Sequence, residues 1–170
     1  PMILKGPDIP EGARRDTIVT LADVYPTVLE SVGIEANEGE STLPGSSLLP
    51  YAKATKEEPT AFSEYYSQGI YTAMFMLRKG PYKYIHYVGE RPQLFDLKKD
   101  PLEQEDLAGK PENEKLLVRL YEELKEIADV ERLEEESKAA QSRLLDAHGG
   151  REEFLRSFKP ALFSPIPKLD

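Results

Sequence analysis

Few side chains in this sequence are suited to catalytic or metal chemistry. The chain has two histidines, His86 and His148, and no cysteine, which excludes a cysteine nucleophile, thiolate metal ligands and disulfides within it. Neither histidine has a partner at the spacing of a metal-binding or catalytic-triad motif. Aspartate and glutamate total 31 residues, so choosing any two of them as an acid and a base would be arbitrary. The residues alone therefore name no reaction.

Three side chains are candidates for lining a substrate pocket: His86, Tyr65 and Tyr66. His86 can orient an oxygen or a polar headgroup of a ligand, and the adjacent tyrosines can form a wall for a cationic alkyl group through cation–π contact. A structural interpretation competes with each role. An isolated strand histidine commonly hydrogen-bonds at a sheet surface, and this is the favoured interpretation for His86. Adjacent strand tyrosines are commonly core and edge residues.

The charge balance limits the partners. With 22 basic and 31 acidic residues the net charge is -9, which repels nucleic-acid phosphates and anionic lipid surfaces. No apolar run approaches the roughly 20 residues that a membrane-spanning helix needs. We therefore expect neither a nucleic-acid nor a membrane partner. Hydrophobic residues make up 39% of the chain, enough for a folded core.

The first 50 residues predict one short strand and one helix. Residues 2–4 are apolar and are followed by Gly6 and Pro7, a pattern typical of a buried strand and a loop. Thr20 stands three residues before Asp23, the spacing of a capping box. Apolar residues then recur at helical intervals before a stop at Gly33: Leu21, Val24, Val28 and Val32. Pro26 within this stretch predicts a kink or a restart. Residues 35–59 predict a long irregular segment.

Residues 62–95 concentrate aromatic and β-branched side chains between turn signals, which predicts three or four antiparallel strands. In residues 82–88 a period of two places Tyr82, Tyr84, His86 and Val88 on one face.

A long amphipathic helix is expected after Pro111, with a broad apolar stripe formed by Leu116, Leu120, Leu124, Ile127 and Leu133. The acidic run 134–136 should face water, and the weak apolar pattern between 134 and 140 can mark a break. Residues 154–170 should drape over a neighbouring surface.

Three ordered motifs carry a resemblance. Residues 78–85 read RKGPYKYI, residues 93–103 read QLFDLKKDPLE, and residues 106–108 read DLA. This series resembles the carboxy-terminal hairpin of sulfatases in the alkaline-phosphatase-like superfamily. Residues 1–4, 20–30 and 43–50 resemble the last strand, last helix and connecting loop of the sulfatase catalytic domain. Residues 63–66 and 141–145 resemble the choline-sulfatase and phosphonate-monoester-hydrolase subgroup.

The resemblance implies hydrolysis of a sulfate ester by a formylglycine made within a Cys/Ser-x-Pro-x-Arg motif, beside a calcium ion held by aspartate and asparagine. Neither that motif nor those metal-binding segments occur in this sequence; in the family they lie upstream. The resemblance therefore implies the carboxy-terminal part of a sulfatase, without turnover of its own. No catalytic residue and no metal ligand is assigned to this chain.

We therefore predict an α+β fold in which a small antiparallel sheet of about four strands is packed by a long helix. The expected organisation is the end of a catalytic domain in residues 1–50, a sheet-and-helix subdomain in 51–135 and a tail in 136–170. This subdomain is expected to close one side of the cleft that takes a small sulfate ester. Two alternatives remain: a phosphonate or phosphate ester hydrolase on the same scaffold, and a non-catalytic oligomerisation or binding module, with any homo-oligomer formed through the tail.

Overall fold

The computed structural model describes residues 2–37, 39, 42–53, 60–66 and 70–157. These residues form a helical amino-terminal segment, a four-stranded antiparallel sheet and three later helices. The predicted α+β class is confirmed. Within this part of the chain, no helix combines the length and the apolar character needed to cross a bilayer.

Helix α1 (Val24–Val32) follows a 3₁₀ turn and begins as the capping motif predicts. The backbone N–H of Thr20 donates to the carboxylate of Asp23 at 2.6 Å. Gly33 ends the helix with a φ of 70°, a left-handed conformation that glycine adopts without strain. Pro26 lies in the first turn of α1, where a missing N–H removes no helical hydrogen bond. The proline therefore needs no kink.

The prediction of a strand at residues 2–4 is wrong for this structure. The three residues have no strand assignment, and Ile3 is 92% exposed. A strand exists only when a neighbour pairs with its N–H and C=O groups. The described residues pair no strand with this run.

Of the long segment before the sheet, the structure describes residues 35–37, 39 and 42–53. These are irregular apart from the short helix α2 (Leu49–Ala52), and two hydrogen bonds connect them to α1 and its cap. The N–H of Ser46 donates to Asp23 at 2.9 Å, and the N–H of Leu48 donates to the hydroxyl of Thr27 at 2.8 Å. These bonds satisfy polar groups that loop formation would otherwise leave buried without partners.

The sheet is a meander in which each strand pairs with the next along the chain. Its strands are β1 (Ala61–Tyr65), β2 (Met74–Lys79), β3 (Tyr82–Tyr87) and β4 (Gln93–Asp96). The β2–β3 turn places Gly80 at a φ of 52°, as a tight hairpin requires.

Cross-strand pairing and alternation divide the sheet residues between two faces. The helix face, which packs under the helices, contains Phe62, Glu64, Phe75, Leu77, Tyr84, His86 and Leu94. The second face contains Ala61, Tyr65, Met74, Met76, Lys83, Ile85, Tyr87, Gln93 and Phe95.

The predicted long helix is divided into α3 (Glu114–Ile127) and α4 (Val130–Ala147), with α5 (Gly150–Ser157) after them. The division falls at Ala128, which is extended, and Asp129 caps α4 by accepting from the N–H of Arg132 at 3.2 Å. The sequence pattern placed a break between 134 and 140, and that position is wrong. The apolar stripe gave no sign of the cap because Asp129 acts through local backbone bonding. The predicted boundary after residue 135 falls inside α4.

The core lies between the helix face and helices α3 and α4. Its largest fully buried side chains are Phe75, Leu77, Leu94, Leu120, Leu124 and Val130. Burying each such side chain stabilises the fold by roughly 1.5–3 kcal/mol. Of the predicted stripe, Ile127 is the exception, with 50% of its surface exposed. Residues 158–170 of the predicted tail lie outside the described residues.

Candidate functional site

His86 lies on the helix face between Tyr84 of β3 and Tyr121 of α3. Its ring centroid is 6.4 Å from that of Tyr84 and 5.0 Å from that of Tyr121. Nδ1 is 3.4 Å from the Tyr84 hydroxyl, while Nε2 is buried and has no hydrogen-bond partner among the described residues. Burial lowers the pKa of His86 below its ordinary 6.5, against an opposing effect of Glu131. His86 is thus packed between the sheet and a helix, where burial favours its neutral form.

Tyr66 lies on the same side of the sheet. Its ring meets Phe75 edge-on at 5.8 Å, its hydroxyl donates to Glu64 at 3.0 Å, and its carbonyl accepts from Gln141 of α4 at 3.3 Å. Burial and the hydrogen bond to Glu64 raise the pKa of Tyr66 to about 12. These contacts join the end of β1 to α4.

Tyr65 lies on the second face, so the structure does not bring the three predicted pocket residues together. It pairs across the strands with Met74, which pairs in turn with Tyr87. The Tyr87 hydroxyl donates to Gln93 at 3.0 Å. Tyr65 is 39% exposed. Ile85 and Phe95 of the second face are buried, and its accessible part presents two tyrosine rings, two thioethers and one amide. Such groups are suited to holding an apolar or cationic part of a ligand.

The motif residues 78–85 build the β2–β3 hairpin. The guanidinium of Arg78 donates to the backbone carbonyl of Gly80 and to that of Tyr82 at 3.1 Å. Two donors from one planar group hold both ends of the turn. The arginine of this motif is therefore occupied in shaping the turn.

Lys83, on β3, reaches across to the loop after β4. Its ammonium lies 2.7 Å from the carboxylate of Glu103, and their side chains are 26% and 35% exposed. Glu103 has a φ of 55°, an uncommon conformation for a residue with a Cβ. The ion pair fixes the Asp-Pro-x-Glu loop against the sheet.

Two aspartates complete this loop. Asp106 accepts from the N–H of Leu94 at 3.1 Å and from that of Ala108 at 2.9 Å, and it pairs with Arg91 at 2.8 Å. Asp100 accepts from the N–H of Glu105 at 2.8 Å. Backbone N–H groups of Gln104 and Glu105 lower the pKa of Asp100. Like Arg78 and Lys83, these carboxylates are used for loop structure.

The described residues do not fit a calcium site. No group of three His, Cys, Asp or Glu side chains converges there in a way that would hold a metal ion. The acidic side chains of residues 100–106 are instead engaged by lysine, arginine and backbone donors.

Glu134 is an anchoring residue that the sequence pattern misassigned. It was predicted to face water with its neighbours, but it is 8% exposed. Its carboxylate accepts from the Thr72 hydroxyl at 2.6 Å and the Ala73 N–H at 3.2 Å, and it pairs with Lys138 at 2.8 Å. A spacing of four from buried Val130 was the available signal.

A cavity of about 520 Å³ lies in the amino-terminal segment, with Arg14, Arg15 and Asp16 beside the apolar residues of its lining. Its lining includes Ile3, Ile9, Leu48 and Tyr51. The predicted apolar stripe of α1 and of the 3₁₀ turn before it is largely exposed: Leu21 86%, Val24 40%, Val28 52% and Val32 61%. Exposed apolar surface of this extent is typical of a segment that packs against another surface.

Comparison with known proteins identifies a matching family and several relatives of this chain. The family model described as N-sulphoglucosamine sulphohydrolase, C-terminal, matches residues 1–130. Arylsulfatase K of Homo sapiens is 36% identical over 122 residues, which cover 65% of this chain and 22% of that protein. Choline-sulfatase of Rhizobium meliloti (strain 1021) is 32% identical over 111 residues, with coverage of 65% and 22%. The chain thus spans about a fifth of the length of these curated relatives.

Two solved structures also superpose on this chain. A 2-O GAG sulfatase superposes with a TM-score of 0.54 and 30% identity over 81% of this chain and 26% of that one. The phosphonate monoester hydrolase of Agrobacterium radiobacter superposes with a TM-score of 0.53 and 24% identity. The superposition covers 65% of this chain and 25% of the hydrolase chain. The second likeness concerns the fold alone.

Proposed function

This chain belongs to the family of N-sulphoglucosamine sulphohydrolase C-terminal domains, and we propose that it works as the carboxy-terminal domain of an enzyme that hydrolyses sulfate esters. The observation that carries the proposal is the family match over residues 1–130. The residues that carry the family motifs, Arg78, Lys83, Glu103 and Asp106, all brace one hairpin and its loop. A braced scaffold is what a domain needs to present a fixed surface to a cleft.

In this proposal the nucleophile and the calcium ion belong to another part of the enzyme. Such an ion supplies charge stabilisation to the sulfuryl oxygens. The described residues offer neither a metal site nor a histidine free for proton transfer at the sheet, since His86 is packed between Tyr84 and Tyr121. We therefore expect no sulfate ester hydrolysis by residues 1–170 alone.

The second face is the proposed contribution to the cleft. Tyr65 is the predicted pocket residue that we retain for substrate contact, because it lies on this face beside Met74 and is 39% exposed. His86 and Tyr66 lie on the helix face, where we give them a structural role. Tyr65 would contact the alcohol portion of the ester and so affect selection between substrates.

The test uses the complete protein that contains this chain. We expect it to hydrolyse para-nitrophenyl sulfate faster than a phenyl phosphonate monoester. We also expect Tyr65→Ala to raise KM with a smaller effect on kcat, since an interaction present before and during the reaction contributes uniform binding. Tyr71→Ala, at a tyrosine that is 82% exposed, is the matched control. A preference for the phosphonate would favour the alternative hydrolase. Equal KM values for the two variants would show that Tyr65 does not contact the substrate.

Assembly through the tail is a second candidate function. Leu144 of α4 and Leu155 of α5 are each 62% exposed, and Phe154 is 37% exposed, so the end of the chain carries apolar surface suited to a second copy. Deleting residues 154–170 from the complete protein should then reduce the number of copies in each particle, which light scattering measures in solution. An unchanged oligomer would remove this function and leave the hydrolase proposal intact.

A further inference from the structure

The junction of β3, α3 and α4 contains a partly buried titratable side chain, His86, with one ring nitrogen near a hydroxyl and the other buried. His86 lies between the rings of Tyr84 and Tyr121, and its buried Nε2 finds no hydrogen-bond partner among the described residues. A charged imidazolium needs a hydrogen-bond acceptor at each of its two nitrogens, because each nitrogen then carries a proton. This position therefore favours the neutral ring over the cation.

The same cluster connects the two helices that cover the sheet. The hydroxyl of Tyr121 on α3 donates to Glu131 on α4 at 2.9 Å. The Tyr121 ring therefore contacts His86 on one side of the junction and holds the start of α4 on the other. A shift of the His86 ring would displace both helices, since close-packed side chains transmit displacement.

The charged and titratable groups around His86 come from every packed element. Tyr84 is its neighbour on β3, and Glu64 of β1 lies in the same cross-strand row beyond Phe75, paired to Tyr66. Helix α3 contributes Tyr121 and, over its ring at 5.0 Å, Lys125, which pairs with Glu122 at 3.0 Å. Helix α4 contributes Glu131. The carboxylate of Glu131 is the group that attracts a proton to His86, but it is already engaged by Tyr121.

We propose that this junction is a pH-sensitive latch, in which neutral His86 keeps α3 and α4 seated on the sheet and protonation of His86 in acid loosens them. Burial sets the direction, since it lowers the pKa of His86 and Glu131 only partly offsets it. A group with a lowered pKa in the folded state binds its proton less well there than in the unfolded chain. For a histidine, the stability from the neutral form is fully present above the ordinary value of 6.5 and is lost as the pH falls through the folded pKa.

Native-state hydrogen exchange of the full chain tests the latch. With intrinsic rates corrected, amides of α3 and α4 should open severalfold more often near pH 5 than near pH 7.5. In His86→Phe most of this pH dependence should disappear. The other histidine provides the matched control: His148 is an exposed residue at the end of α4, and His148→Gln should keep the full dependence.

Equal pH dependence in the wild type and in His86→Phe would overturn the proposal. If His86→Phe does not fold, the proton NMR titration of the wild-type protein decides. An apparent pKa for His86 below 6.5, with chemical-shift changes at Tyr121 and Glu131 over the same range, supports the latch. A value at or above 6.5 contradicts it.

Discussion

At the scale of single residues, the ion pair between Lys83 and Glu103 illustrates how solvent access decides the value of a charge. Its N–O distance of 2.7 Å equals that between Lys79 and Glu123. The side chain of Lys83 is 26% exposed, whereas that of Lys79 is 50% exposed. Water screens the second pair more strongly, so the first should contribute more to stability.

Replacing Lys83 by Gln should therefore lower the free energy of unfolding by about 1–2 kcal/mol. The same change at Lys79 should cost less than about 0.5 kcal/mol. Urea unfolding of both variants provides the measurement. A larger loss for Lys79→Gln would show that the loop is not held by the Glu103 pair.

Tyr84 gives a second prediction at this scale, in alkaline solution. Its side chain is 2% exposed, and burial, with a smaller effect of Tyr121, raises its pKa to about 12 from 10.0. The buried neutral phenol contributes stability that is present below pH 10.0 and is lost as the pH rises towards about 12. Tyr84→Phe should lose less stability over this interval than the wild type. Equal losses in the two proteins would contradict this role for Tyr84.

The roles of individual residues were harder to predict than the motifs that contain them. Residues 78–85 identified the hairpin, but the sequence could not show that Arg78 bonds the turn carbonyls or that Glu103 reaches Lys83, because those contacts depend on the folded loop. His86 was assigned correctly to a strand. Its position under α3 was missed, because Tyr121 lies 35 residues away in the sequence.

At the scale of elements, Glu134 connects α4 to the start of β2. It accepts from Thr72 and the N–H of Ala73 and pairs with Lys138. Burial opposes its charge, but these donors outweigh burial and lower its pKa below 4.5. The resulting stability is present above the ordinary carboxyl pKa and is lost as the pH falls through the folded value.

Glu134→Gln should lower the free energy of unfolding by about 1–3 kcal/mol, because a buried set of donors loses its charged acceptor. The neighbouring Glu135, which is exposed, provides the control. Glu135→Gln should change stability by less than about 0.5 kcal/mol. Thermal or urea unfolding near neutral pH measures both effects. Equal effects would show that Glu134 has no anchoring role and behaves as a solvated residue, as the sequence suggested.

Element types were predictable where one periodicity dominates. Alternation over residues 82–88 identified β3, and the leucine stripe identified α3. The division at Ala128 and Asp129 was not predictable from the stripe, because a capping side chain acts on the backbone of one turn. The strand prediction for residues 2–4 was wrong for a different reason. An apolar strand pattern specifies a strand only together with its pairing partner.

At the scale of the whole molecule, the two parts of the chain are built differently. The sheet and helices α3 and α4 share a closed core. The amino-terminal segment instead exposes the apolar stripe of α1 and an open cavity of about 520 Å³. This contrast agrees with the proposal that residues 1–50 complete another domain, a division that the sequence resemblance suggested and that remains a prediction.

Replacing Val28 and Val32 by Ser should accordingly have little effect on the isolated chain, within about 0.5 kcal/mol each, because both side chains already face water. Binding of a hydrophobic dye should fall. In the complete protein the same double variant should lose stability markedly, as expected for side chains buried in a core. Leu155→Ser, at a residue of similar exposure, is the control. No difference between the isolated chain and the complete protein would contradict an interdomain role for α1.

The most direct test of the central proposal is to read the coding frame that precedes Pro1. Our account predicts an upstream Cys/Ser-x-Pro-x-Arg motif together with acidic segments for a metal ion, in one frame with this chain. A start codon immediately before Pro1 would contradict the account, since the chain would then be a separate module without the catalytic part of a sulfatase.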